Sequence, residues 1–313
     1  MSASSLSPVS PLATGITRLG FGALSLDELI RCYGSAEDGS QYVELDGFNV
    51  HFRDQGDPQK PPLVLIHGVA SSLHAWNDWL TELASDYRVI RFDLPGFGLT
   101  GPAKDGEYSA ERVHHMLGLL LDYLNVERAS IAGSSLGGYI AWTFAVQHPE
   151  RVHKLILIDP VGYHIDKVPR LMAAANIPGS PLLMPVWMPK ALIVQGVREL
   201  YGEPEKIKPG TLERIYNLSR RPGNRRAMID VFRLFIHANR VEFLDVSERI
   251  CTIKAPVLLM WGAQDRWVSA NHVSRWQKDL PDIQVIIYAG VGHVAMEEIP
   301  QQSAADAQRF LSE

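Results

Sequence analysis

Gly133-Ser134-Ser135-Leu136-Gly137 lies between a strand-like apolar run, Ala129 to Ala132, and a helix-like run, Leu136 to His148. A serine at such a junction sits on a tight turn, with a strained backbone and an exposed hydroxyl. The flanking glycines remove side chains that would collide in that turn. The helix that follows points its first N–H groups at the place where negative charge on oxygen develops. Short apolar strands alternate with helical runs near 73–85, 109–124 and 136–148. This alternation predicts an α/β chain with a mostly parallel sheet and helices on both faces.

A serine hydroxyl is a weak nucleophile at neutral pH until a base takes its proton. In a strand–serine–helix arrangement an acid and then a histidine follow the serine in chain order. Val257 to Trp261 reads as a buried strand, and Gly262-Ala263-Gln264-Asp265 follows it. Ile283 to Tyr288 reads as the next strand, and Ala289-Gly290-Val291-Gly292-His293 is its loop. His293 is the expected base, because imidazole titrates near neutral pH. Asp265 is the expected acid, holding the tautomer of His293 and stabilising its charged form. Asp159, after the strand Leu155 to Ile158, is the competing acid. These groups meet only if the strands are parallel and their C-terminal loops share one edge.

Leu63 to Ile66 forms another apolar strand, followed by His67-Gly68-Val69-Ala70-Ser71-Ser72. The N–H groups of Val69 and Leu136 are the expected oxyanion donors. His67 reads as a structural residue of the turn, and Asp93 as an acid bonding local backbone.

These segments, together with Asp93-Leu94-Pro95-Gly96-Phe97-Gly98, His148-Pro149-Glu150-Arg151-Val152 and Trp261-Gly262-Ala263-Gln264-Asp265, resemble the α/β-hydrolase superfamily. The likeness runs from about residue 41 to the C-terminus and implies the α/β-hydrolase fold, in a serine esterase/lipase-like member with a helical cap. Haloalkane dehalogenases and epoxide hydrolases carry an aspartate where this chain has Ser135. Carbon–carbon bond hydrolases of ring-fission products typically show Asn before the nucleophile, a Gly-rich turn after His-Gly and Trp after the histidine. This chain has Ser134, Val69-Ala70-Ser71 and Val294 there. The expectation is a carboxylic ester hydrolase working through an acyl-enzyme, with no metal or organic cofactor. The alternatives are a carbon–carbon hydrolase, a cofactor-free perhydrolase or a non-enzymatic ligand receptor of the same fold.

The expected organisation is an N-terminal extension over 1–40, a core over 41–162 and 251–313, and a helical cap over 163–250. Tyr42 to Leu45 and Val50 to Arg53 read as a hairpin around Asp46-Gly47. Ile16, Leu19, Leu24, Leu26, Leu29 and Ile30 form an amphipathic stripe, with Ser25 or Asp27 near a helix start. The reading favours a helix packed on the body over a membrane-surface helix. About 90 residues separate the strands on either side of the cap, too many for an unstructured loop. Helical patterns cover roughly 167–176, 188–200, 209–220 and 224–238. Leu171, Met172, Leu182, Leu183, Met184, Val186, Trp187, Met188 and Leu192 supply an apolar wall or a small core. Met172, Met184, Trp187 and Val294 are the substrate-binding candidates. Arg220, Arg221, Arg225 and Arg226 read as a solvated face, or as a site for a substrate carboxylate.

The net charge of −5 over 313 residues argues against nucleic-acid partners. Cys32 and Cys251 match no metal spacing and provide no disulfide framework. Met1 to Gly15 lacks a basic start and an apolar centre, so it does not read as a secretory signal. No run reaches the roughly 18–20 apolar residues of a membrane helix. A cytoplasmic protein without stable membrane insertion is expected, with a small-molecule ester as substrate and a homodimer as a candidate assembly.

Overall fold

A computed structural model describes residues 20–313 except 242, 244 and 245. Helix α1 (Leu26–Tyr33) precedes a hairpin of β1 (Ser40–Leu45) and β2 (Phe48–Gln55). Then come β3 (Pro62–Ile66), α2 (Asn77–Leu83), β4 (Arg88–Phe92), α3 (Ala110–Tyr123), β5 (Ala129–Ser134), α4 (Leu136–Gln147) and β6 (Val152–Ile158). An insertion follows, with α5 (Arg170–Ala174), α6 (Ser180–Leu183), α7 (Lys190–Arg198), α8 (Thr211–Ser219), α9 (Asn224–Val241) and α10 (Ser247–Ile250). The chain returns through β7 (Val257–Gly262), α11 (Val273–Asp279), β8 (Gln284–Tyr288), α12 (Ala295–Glu298) and α13 (Pro300–Ser312).

The strands form one sheet in the order β1-β2-β4-β3-β5-β6-β7-β8. Only β1 and β2 run antiparallel to their neighbours; every pairing from β4 to β8 is parallel. Asp46 and Gly47, at φ 49° and 77°, close the hairpin in the left-handed turn that matches strand twist. Helices cover both faces, so the central strands are apolar throughout and buried. Trp76 and Trp79 are fully buried core residues, with Trp142, Trp261 and Trp276.

The sequence reading left β4 unmarked, because Arg88 and Arg91 break its apolar run. Both are held internally. Arg88 forks onto Asp54, and Arg91 donates to Asn77 and Gln55. Residues 73–76 form a 3₁₀ turn before α2 rather than one continuous helix. The short helices α6 and α10 were also not anticipated, since a single turn offers too little periodicity to read.

Ser25 caps α1 through a reciprocal pair with Glu28. Leu29 packs with Leu99 and Leu218, so α1 docks on the body as expected. Ile16 and Leu19, the start of the expected stripe, lie outside the described residues. No helix among the described residues is long and apolar enough to cross a membrane. The parallel strands all end on one edge of the sheet. Ser135, Asp159 and Asp265 follow β5, β6 and β7, and His293 follows β8.

Candidate active site

Ser135 is held at φ 57° and ψ −117° between β5 and α4, a conformation that costs free energy in any residue with a Cβ. The turn stays closed because its N–H donates to Ile158 and its carbonyl accepts from Tyr139 and Val161. Gly137 faces the carbonyls of Ile66 and His67 so closely that a Cβ there would overlap both. The first residue of a helix has no preceding carbonyl for its N–H, and Leu136 is that residue. Gly68 lies against the Ser135 side chain, and the next residue is Val69. The two expected oxyanion donors thus flank the serine.

His293 Nδ1 lies 2.7 Å from Asp265 Oδ2, and both side chains are buried. The carboxylate only accepts, so Nδ1 carries the proton and Nε2 presents its lone pair. Asp265 is fixed in turn by the N–H groups of Trp267 and Val268, at 2.7 and 3.0 Å from Oδ1. Trp267 stacks on the imidazole, with ring centroids 6.0 Å apart. His293 Nε2 has no hydrogen-bond partner among the described residues, and it shares a cavity lining with Ser135. In this state Ser135 Oγ and His293 Nε2 face one space without bonding each other.

Asp159, the competing acid, is fully buried behind this pair and has φ 46°. Its Oδ1 accepts from Gly262 N–H, and its ligand atoms lie within 4.8 Å of those of Asp265 and His293. Burial, and then the facing charge of Asp265, push its carboxyl well above the usual range. The carboxyl that bonds the imidazole is that of Asp265.

Two cavities meet at the serine. The larger, of about 70 Å3, is lined by Val69, Ser135, His293 and Val294, with Leu171, Ile193 and Val197 from the insertion. The smaller, of about 20 Å3, is lined by Leu136, Val161, Met172 and Phe235. Val69, Ser135 and Trp267 belong to both. No Lys or Arg among the described residues lines either cavity. The acid that does is Glu297, raised above its usual range by burial. Sequence reasoning missed Trp267, Tyr201 and Glu297, which lie outside any catalytic motif. Trp267, two residues beyond Asp265, is the one that spacing could have flagged.

Of the four substrate-binding candidates, Met172 and Val294 line the cavities. Met184 and Trp187 do not, and this corrects the sequence reading. The turn after α6 directs Met184 into the interior of the insertion and Trp187 outward against Phe21. The arginine cluster also stays out of both cavities. Arg220 and Arg225 donate to the carbonyls of Gly22 and Gly20, and Arg226 pairs with Asp230. Arg221 packs against Gly101.

His67 is structural, as expected. Its Nδ1 bonds the Gly68 carbonyl and its Nε2 accepts from Leu94 N–H. Asp93 accepts from Leu73 and Leu99 N–H and from His51, tying the loop that carries Val69 to the body.

Residues 61–181 match the sequence profile of a family described as alpha/beta hydrolase fold. A 2-hydroxy-6-oxononadienedioate/2-hydroxy-6-oxononatrienedioate hydrolase of Paraburkholderia phymatum is 30% identical over 280 residues, 83% of this chain and 91% of that protein. An uncharacterised hydrolase of Bacillus subtilis, YugF, is 26% identical over 257 residues, 82% of this chain and 92% of that protein. Among solved structures, a membrane phospholipase A superposes with a TM-score of 0.72 at 26% identity, over 92% of this chain and 90% of that one. A meta-cleavage product hydrolase from Pseudomonas fluorescens IP01 shares the fold, with a TM-score of 0.75 at 22% identity over 87% of this chain and 97% of that one. With the eight-stranded sheet and the serine turn, these likenesses show that the chain belongs to the α/β-hydrolase family.

Proposed function

We propose that this protein is a serine esterase cleaving neutral carboxylic esters with apolar acyl and alcohol groups. One observation carries the reading. Two apolar cavities share Ser135, Val69 and Trp267 in their walls, which suits an ester with an apolar group in each, and no Lys or Arg among the described residues lines either. A substrate carboxylate buried there would be desolvated without a cationic partner.

Ser135 Oγ attacks the ester carbonyl while His293 Nε2 takes its proton. The N–H groups of Val69 and Leu136 hold the tetrahedral oxyanion. His293 then protonates the departing alkoxide, leaving an acyl-enzyme. Water, deprotonated by the same imidazole, attacks the acyl carbon and releases the acid. Asp265 keeps the imidazole in its productive tautomer throughout. The chemistry calls on no metal or organic cofactor. The insertion acts as a cap, because Leu171, Met172, Ile193 and Val197 close the cavities over the sheet edge.

Carbon–carbon hydrolysis of a ring-fission dienoate is the second reading. It is favoured by the dienedioate hydrolase of Paraburkholderia phymatum, to which the chain is 30% identical. Parallel assays of an aryl ester and a dienoate separate the two. Esterase activity with a negligible dienoate rate is expected, and preferential dienoate cleavage would overturn the proposal.

A further inference from the structure

The insertion carries an unusual outer face. Ile177, Leu182, Leu183 and Val186 are 60%, 79%, 52% and 59% exposed, while Met184 and Met188 from the same stretch are buried. Leu182 lies in α6 and Val186 in the turn that follows it. Trp187 and Phe21 meet at its edge. Grouped apolar exposure of this kind marks a contact surface rather than scattered surface leucines.

A basic stripe adjoins it. Arg226, Arg233 and Arg240 recur every seven residues along α9 and so lie on one face, with His237 beside them. They line an open groove of about 610 Å3 together with Asn176 and the exposed Leu234. Asp105 and Asp230 also line it, but they are neutralised by Arg112 and Arg226. Arg233 and Arg240 have no ion-pair partner among the described residues. The two features touch, since Arg226 donates to the Pro181 carbonyl at 3.4 Å.

We propose that this face docks on a membrane surface rich in anionic phospholipid. The Leu182–Val186 turn enters the acyl boundary, and Arg233 and Arg240 meet lipid phosphates. The occupant follows from charge complementarity. Apolar side chains beside arginines that have no ion-pair partner among the described residues match the layered chemistry of a bilayer interface. The chain as a whole carries −5, so attraction to an anionic surface has to come from a local stripe such as this one. The consequence is spatial. In the chain the patch falls between α5 and α7, which line the cavities through Leu171, Met172 and Ile193. An amphiphilic molecule leaving the bilayer would therefore arrive beside the cavity walls.

Co-sedimentation of the full chain with phosphatidylglycerol/phosphatidylcholine vesicles tests this, with pure phosphatidylcholine vesicles as control. The protein should pellet with the anionic vesicles, and added salt should release it. Arg233→Glu/Arg240→Glu should weaken binding at least about thirtyfold, from roughly 1 kcal/mol per basic residue. Leu182→Asp/Leu183→Asp should weaken it comparably, and both variants should hydrolyse a soluble aryl ester at the parent rate. Ser135→Ala should still bind vesicles, so failure of the esterase reading is distinguishable from failure of this one. Absence of binding to anionic vesicles, or undiminished binding by both double variants, overturns the proposal. So does a parent dimer that the Leu182/Leu183 variant converts to monomer without loss of vesicle binding. That result would assign the face to a second copy of the chain.

Discussion

His293 Nδ1 stands 2.7 Å from Asp265 Oδ2, while its Nε2 opens onto the cavity that Ser135 lines. This contact fixes which nitrogen can act as base. Asp265→Asn would replace the acceptor by a group that can donate, favouring the wrong tautomer. The expected result is a loss of kcat for ester hydrolysis of about a thousandfold or more, with thermal stability little changed. An unaltered kcat would remove Asp265 from the mechanism.

Gly137, like Gly133, is a glycine of the serine turn that a residue with a Cβ cannot replace. A Cβ on Gly137 would overlap the carbonyls of Ile66 and His67, and backbone cannot move aside as a flexible side chain can. Gly137→Ala should cost at least about 2 kcal/mol of stability by denaturant melting. Gly118, inside α3 with open space around its missing Cβ, is the control. Gly118→Ala should stabilise by roughly 0.5–1 kcal/mol.

Much of the fold was legible because strands buried on both faces leave short apolar runs, and the serine turn leaves glycines. The triad candidates were legible for the same reason: each follows such a run. What escaped reading were features set by packing between distant segments. Trp267 stacks on His293 only because the loop after β7 curls over the loop after β8. The apolar segment 182–192 resembled a cavity wall in sequence, yet Leu182, Val186 and Trp187 turn outward. Hydropathy cannot tell which side of a short helical turn faces the cavity. β4 escaped because its arginines find partners only in the folded chain.

Asp159 gives a signed pH prediction. Its folded carboxyl titrates above its unfolded value, so between those values the native state holds a proton that the unfolded state has released. That difference lowers stability as pH rises above about 4, with a limiting slope of about 1.4 kcal/mol per pH unit. Asp159→Asn does not titrate. The stability of this variant relative to the parent should therefore climb with pH until the native carboxyl ionises. Urea melts of both proteins between about pH 4.5 and 7.5 check it. A constant difference would mean that Asp159 titrates alike in both states.

Glu297 should act on specificity. Its carboxyl lines the larger cavity, and burial raises it above its usual range, so any charge it carries when ionised would oppose a substrate carboxylate; Glu297→Gln should favour esters carrying a carboxylate over neutral ones, most clearly at the alkaline end of the assay range. A shift of about tenfold in the ratio of kcat/KM values is expected, the equivalent of roughly 1.4 kcal/mol. Assay of a hemisuccinate ester against its neutral methyl ester reads it directly. An unchanged ratio would mean that Glu297 does not face bound substrate.

The central claim is that Ser135 is the acylated nucleophile. Labelling with a fluorophosphonate, followed by peptide mapping by mass spectrometry, tests it most directly. The account predicts one label per chain, located on Ser135, with no labelling and no ester hydrolysis in Ser135→Ala. A label on another residue, or a Ser135→Ala protein that hydrolyses esters at the parent rate, would contradict it.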